Sequence, residues 1–156
     1  MEKMEISYYQ SWFRYKKIPR NPLEEEVARQ YHEKGEPYVV VVSEEGIITH
    51  VIEVSKVSVQ VLFMDSCGDN FLSYDFQRKN EQDVFLSAAY YYKYEEHEDV
   101  ENMMFSFHED GELIMSKWNR KSGSLEEKEM MADVTGNWDK YPKFGEYSEL
   151  LREERG

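Results

Sequence analysis

The sequence predicts an α+β domain: a curved, mainly antiparallel β-meander of about seven or eight strands, one N-terminal helix packed on it and a short C-terminal helix. Three observations carry this expectation. Residues 19–35 hold one apolar stripe at helical spacing, bounded by Pro and Gly. From Tyr38 to about residue 132 the chain reads as short apolar or alternating runs separated by turn residues. Near the end, Tyr147, Leu150 and Leu151 recur at the spacing of a helical turn. With 156 residues and no repeat, low-complexity tract or Pro/Gly/Ser-rich linker, the chain is expected to be a single domain over 1–156.

Ile6 to Lys17 is rich in aromatic residues of both parities and reads as an opening strand. The helix follows over Pro19 to Gly35. Asn21 is placed to cap it, Pro22 suits its first position, and Glu24, Glu25 and Glu26 complement the positive end of the helix dipole. Leu23, Val27 and Tyr31, with Ala28 beside them, form the stripe that seeks a sheet. Tyr38 to Val42 is a continuous apolar strand, followed by strands over Ile47 to Val54 and Val57 to Met64. The apolar parity switches around Ser55 and Lys56, which places a tight turn or bulge there.

After a turn over Asp65 to Asn70, Leu72, Tyr74 and Phe76 alternate with polar residues. Val84, Leu86, Ala88, Tyr90, Tyr92 and Tyr94 share one parity and predict a long half-buried strand. Met103, Phe105 and Phe107 repeat the alternation, Glu109-Asp110-Gly111 turns the chain, and Glu112 to Asn119 returns it. Residues 124–132 read as a strand, although Ser124-Leu125-Glu126-Glu127 also spells a helix capping box. The final helix is expected over about 145–154.

Charge narrows the function classes. The chain carries 32 acidic and 19 basic residues, a formal net charge of −13 and a pI near 4.8. Residues 81–156 hold 19 of the acidic and 9 of the basic side chains. Such a field repels nucleic-acid phosphates and anionic lipid, so neither is an expected partner. Apolar runs fall short of a bilayer span, and Met1 to Arg20 lacks the apolar segment and cleavage site of a secretory leader; a cytoplasmic location is expected. Cys67 is the single cysteine, which excludes an intramolecular disulfide and a multi-cysteine zinc cage.

Signs of chemistry are sparse. His97-Glu98-Asp99 and His108-Glu109-Asp110 carry metal-ligand chemistry, but they bracket a strand whose ends lie roughly 20 Å apart, so neither metal nor cofactor is expected. The glycines form no phosphate loop, and serine-elbow, zincin, kinase and EF-hand signatures are absent. A small hydrolase would need His50 or His108 to converge with Cys67 and a carboxylate. Arg14, Lys16, Lys17 and Arg20 make one basic cluster among aromatics, expected to serve an intramolecular role opposite the acidic second half.

An acidic domain without a catalytic signature has the physical character of a stoichiometric protein binder. The expected function is an acidic protein-binding module, of the immunity or antitoxin type, that blocks a basic toxin such as a nuclease. Glu95, Glu96, Glu98, Asp99 and Glu101, then Glu109 and Asp110, are the expected partner-binding residues, with Tyr and Trp side chains as desolvated anchors. The two groups flank one strand, so a compact interface takes only one of them. The alternative is a small-ligand-binding β-cup in which Tyr90, Tyr92 and Trp118 line a pocket.

Overall fold

The computed structural model describes residues 4–154. The strands are β1 (Met4–Phe13), β2 (Ile18–Leu23), β3 (Tyr38–Glu44), β4 (Ile47–Val54), β5 (Ser58–Met64), β6 (Asn70–Arg78), β7 (Asp83–Glu95), β8 (Glu98–Phe107), β9 (Glu112–Asn119), β10 (Leu125–Met131) and β11 (Trp138–Lys140). One α-helix, α1 (Glu25–Lys34), lies between β2 and β3. The strands form one 11-stranded sheet ordered β10-β9-β8-β7-β6-β5-β4-β3-β1-β2, with β11 paired to the start of β7. Each pairing among the described residues is antiparallel, as the run of short loops predicts.

The coarse expectation of an antiparallel sheet with one early helix holds, but the strand number of seven or eight is too low. The extra strands come from segments whose local chemistry points elsewhere. Pro19 to Leu23, expected as the first turn of the helix, is extended and pairs with β1 as an outer strand. Asn21 adopts a left-handed φ of 58°, incompatible with a helix, and α1 starts only after Glu24. Two prolines are tolerated because an edge strand needs ladder bonds on one side alone. Gly35 closes α1 as expected: at φ 74° its N–H donates to the His32 carbonyl, and the Glu36 N–H donates to Tyr31. The expected terminal helix shrinks to a single 3-10 turn at Ser148–Leu151.

β7 holds the largest departure from simple alternation. Phe76 pairs with Leu86 while Asp75 pairs with Ala88, so Ser87 is an extra residue on β7. Below this bulge Val84 and Leu86 point into the core; above it Ala89 takes over the core face. Tyr90, Tyr92 and Tyr94 are thereby handed to the opposite face. Their shared parity with Val84 and Leu86 does not make one apolar row.

The main core lies on the face covered by α1 and the C-terminal segment. Ala28 of α1, with Tyr147 and Leu150, packs on Val40, Ile52 and Phe76 of the sheet. The other face of β3–β5 is capped by the β1–β2 hairpin. Trp12 covers Val39, Val41, Val51, Leu62 and Met64, while Arg14 bonds Glu53 and Gln60 and Lys17 reaches Asp69. Arg14 and Lys17 of the basic cluster therefore act within the chain, on carboxylates of the first half rather than the second.

From β8 onward the sheet is a single layer. Leu113 is the sole buried hydrophobic residue in 98–131, a stretch that also holds Met103, Met104, Phe105, Met115 and Trp118. Every residue of β10 is exposed.

Candidate functional site

The β7–β10 wing collects most of the features that point to recognition. Alternation turns Tyr91, Met103, Phe105 and Met115 to one face, continuous with the margin of the core. Tyr90, Tyr92, Met104, Trp118 and Leu125 turn to the other. The Tyr90 and Tyr92 rings stack with centroids 6.4 Å apart and planes within 9°. Tyr94 continues the row, with its hydroxyl donating to the Asn70 carbonyl at 2.7 Å.

Carboxylates flank this row. Burial raises the pKa of Asp75 from its ordinary value although Gln60, Arg14 and Tyr90 favour its ionised form. Its Oδ1 is buried and meets no donor among the described residues. Burial, with the Asp75 charge beside it, in turn raises the Tyr90 hydroxyl. At the far end Asp99 lies opposite Tyr94 across a bulge. Asn102 donates to Asp99 Oδ2 at 3.2 Å, and Oδ1 is buried without a donor. Asp69 is buried beneath the hairpin; burial opposes its ionisation, but hydrogen bonds from Lys17 at 2.5 Å and His97 at 3.0 Å outweigh that and hold it low.

Of the seven carboxylates expected at the interface, four are engaged by the chain's own cations. Glu95 pairs with Lys121 at 2.9 Å, Glu98 with Arg120 at 3.7 Å, Glu101 with Lys117 at 3.2 Å and Glu109 with Lys79 at 3.2 Å. Glu96, Asp99 and Asp110 make no ion pair among the described residues; Asp110 instead accepts the Glu112 N–H and closes its turn. The two groups stand at opposite ends of β8, as the sequence implies. The pairs are solvent-exposed, so each contributes little energy and leaves the local field negative. Residues 95–131 carry eleven carboxylates against four Lys and Arg, a net of −7.

The three aromatic residues expected to line a pocket share one face of the sheet but do not border one cleft. Tyr90 borders a cleft of about 360 Å³ shared with Asp75, Ser106 and His108, whereas Tyr92 and Trp118 lie outside its lining. Among the described residues no group of three or more His, Cys, Asp and Glu side chains is placed to hold a metal ion. No hydrogen bond joins Cys67 to His50 or His108: Cys67 is exposed in the β5–β6 turn, and His50 Nδ1 faces Thr49 Oγ1 at 2.9 Å. No described helix is long and apolar enough to cross a membrane.

Sequence reasoning missed Asp75 and Met104, since their placement beside the tyrosine row follows from the Ser87 bulge. Alternation within residues 88–94 alone, read without the preceding residues, carries the available signal. The chain matches no family model, no curated protein and no solved structure.

Proposed function

We propose that the chain is an acidic protein-binding module whose partner is a basic protein, in the manner of an immunity protein blocking a toxin such as a nuclease. The observation that carries this reading is the single-layer wing of β8–β10. A three-stranded layer that leaves Met103, Met104, Met115 and Trp118 only partly buried, with Phe105 at the margin of the core, holds apolar area in reserve for association. Tyr, Trp and Met are the residue types enriched in the cores of protein interfaces. The net −7 of residues 95–131 supplies steering toward a cationic surface.

The sheet border adds a second means of contact. Asn119 N–H donates to the Ser124 carbonyl and Ala132 N–H to the Gly111 carbonyl, so even-numbered residues of β10 face β9. The N–H and C=O groups of Leu125, Glu127, Glu129 and Met131 consequently point outward. Within this reading, Trp118 and Tyr92 act as anchors, with Glu127 and Glu129 of the same face meeting the partner's cations.

The test is co-expression with a basic product of the adjacent gene. A one-to-one complex should form, weaken steeply between about 50 and 500 mM salt, and be lost in Trp118→Ser and in Glu127→Lys with Glu129→Lys. A complex indifferent to salt and to both variants overturns the proposal, and an adjacent gene encoding no basic protein removes its immunity-type form.

A further inference from the structure

One cavity has the opposite electrostatic character from the rest of the molecule. It encloses about 740 Å³ between the C-terminal end of α1, the β4–β5 turn, the β6–β7 turn and residues 140–143. This volume falls in the range of small-molecule sites. None of its lining belongs to β8–β10.

Five permanent cations border it: Lys34, Lys56, Arg78, Lys140 and Lys143, against the carboxylates of Glu33 and Glu81. In a chain where acidic residues outnumber basic ones 32 to 19, cations have ample carboxylates to pair with. Yet Lys34, Lys56 and Lys143 make no ion pair among the described residues, and they come from three separate segments. Like charges gathered round one concavity repel one another, and a bound anion relieves that repulsion.

The remaining two cations are structural supports. Arg78 donates to the carbonyls of Lys56, Asn80 and Glu81 at 3.2, 3.1 and 2.7 Å, and its guanidinium lies 3.7 Å from the centre of the Tyr141 ring. It thus ties the β4–β5 turn to the β6–β7 turn and fixes one wall. Lys140 is held by Asp83 at 2.8 Å. Tyr141 donates to the Ser55 carbonyl at 2.8 Å, pinning the fourth wall to the first turn. The Lys56 stem lies against Gly35, where an added Cβ would meet it at 3.3 Å. The C-terminal end of α1 contributes a partial negative charge, but its carbonyls of Tyr31 and His32 are already bonded, and the excess of five cations over two carboxylates exceeds it.

We infer that this cavity binds a small polyanion, a phosphorylated or polycarboxylate metabolite, with Lys34, Lys56 and Lys143 as the charge-pairing groups and the Arg78–Tyr141 wall as their scaffold. Lysines on separate turns act as movable point charges, which suits a compact multiply charged ligand more than a planar carboxylate needing a bidentate fork.

Titration of the full chain with sodium pyrophosphate and, separately, trisodium citrate, followed by calorimetry and amide chemical shifts, tests this. Saturable one-to-one binding is expected with a Kd below about 1 mM at low salt for one of the two, and the preferred probe separates phosphoryl from carboxylate chemistry. Lys56→Glu with Lys143→Glu should weaken it by at least about tenfold, whereas Lys93→Glu with Lys128→Glu, outside the cavity, should change it by less than about twofold. No saturation by about 10 mM of either probe, or equal loss in both variants, overturns the inference. So do shifts in the wild-type chain centred away from residues 32–35, 56, 78–82 and 140–143, a readout that needs no variant to fold.

Discussion

Acidification should destabilise this protein through His50. The residue sits on β4 between Val42 and Phe63, with its ring in edge contact with Phe63 at 5.1 Å between centroids. Burial lowers its pKa from 6.5 to about 4, so the folded state holds it neutral where the unfolded chain would protonate it. A depressed histidine contributes stability that is complete above the unfolded pKa and is lost as pH falls from 6.5 toward 4. Taking those two values, the loss between pH 7.5 and pH 5 is about 2 kcal/mol as an upper figure. The ring retains some exposure, which brings the expected loss to about 1–2 kcal/mol. Urea unfolding of the wild type and of His50→Gln at pH 7.5, 6.5, 5.5 and 5.0 measures it. Packing lost in the variant is the same at every pH, and the half-buried His32, shifted in the same direction by burial and Arg78, is common to both proteins. The stability gap between the two should therefore narrow by about 1–2 kcal/mol on acidification. A gap constant across the range refutes the burial argument.

Four further outcomes follow from the packing. Phe76, with no exposed surface in the main core, should lose about 3–5 kcal/mol as Phe76→Ala, while Met131→Ala at the exposed edge should stay within about 0.5 kcal/mol by chemical denaturation. Tyr38→Phe should be destabilised by about 1–3 kcal/mol, because it removes a buried hydroxyl 2.7 Å from His32 Nδ1 and 3.0 Å from the Tyr147 hydroxyl. Gly111→Ala places a Cβ 2.8 Å from the Ala132 carbonyl at a φ of 97°; it should cost about 1–3 kcal/mol and raise amide exchange at Ala132. Lys17→Met should cost about 1–3 kcal/mol in thermal or urea melts, since the Asp69 carboxylate beneath it is 6% exposed and would keep, of its two side-chain partners Lys17 and His97, only the hydrogen bond to His97.

Much of the sheet is legible because its signals are local. Val61, Tyr74 and Phe76 reach the core face that their alternation predicts, and the continuous apolar run Tyr38 to Val42 is buried on both faces. Gly35 stops α1 for a reason visible in its own residue type. Where the sequence misleads, the deciding interaction is long-range. Asn21-Pro22 offers an ordinary helix start, but pairing of Pro22 with Tyr9 and Arg20 with Ser11 extends it instead. The Ser87 bulge is dictated by the register of β6 against β7, and no property of Ser87 announces it. For the candidate site, the excess of negative charge in the second half is plain from composition. Its partial neutralisation by Lys117, Arg120, Lys121 and Lys79 is not, since all four cations lie about 15 or more residues along the chain from the carboxylates they meet.

The two borders of the sheet differ in a way that limits assembly. On β2, Pro19 and Pro22 have opposite parity, so one missing N–H falls on the outward side whichever way the ladder faces. β10 contains no proline and offers unbroken main-chain groups. Two copies joining through β10 about a two-fold axis would each consume their sole receptive rim and leave β2 at both extremities. Growth by strand addition at β10 thus terminates at a dimer, because among the described residues the β2 border does not supply the second unbroken rim that a fibre requires.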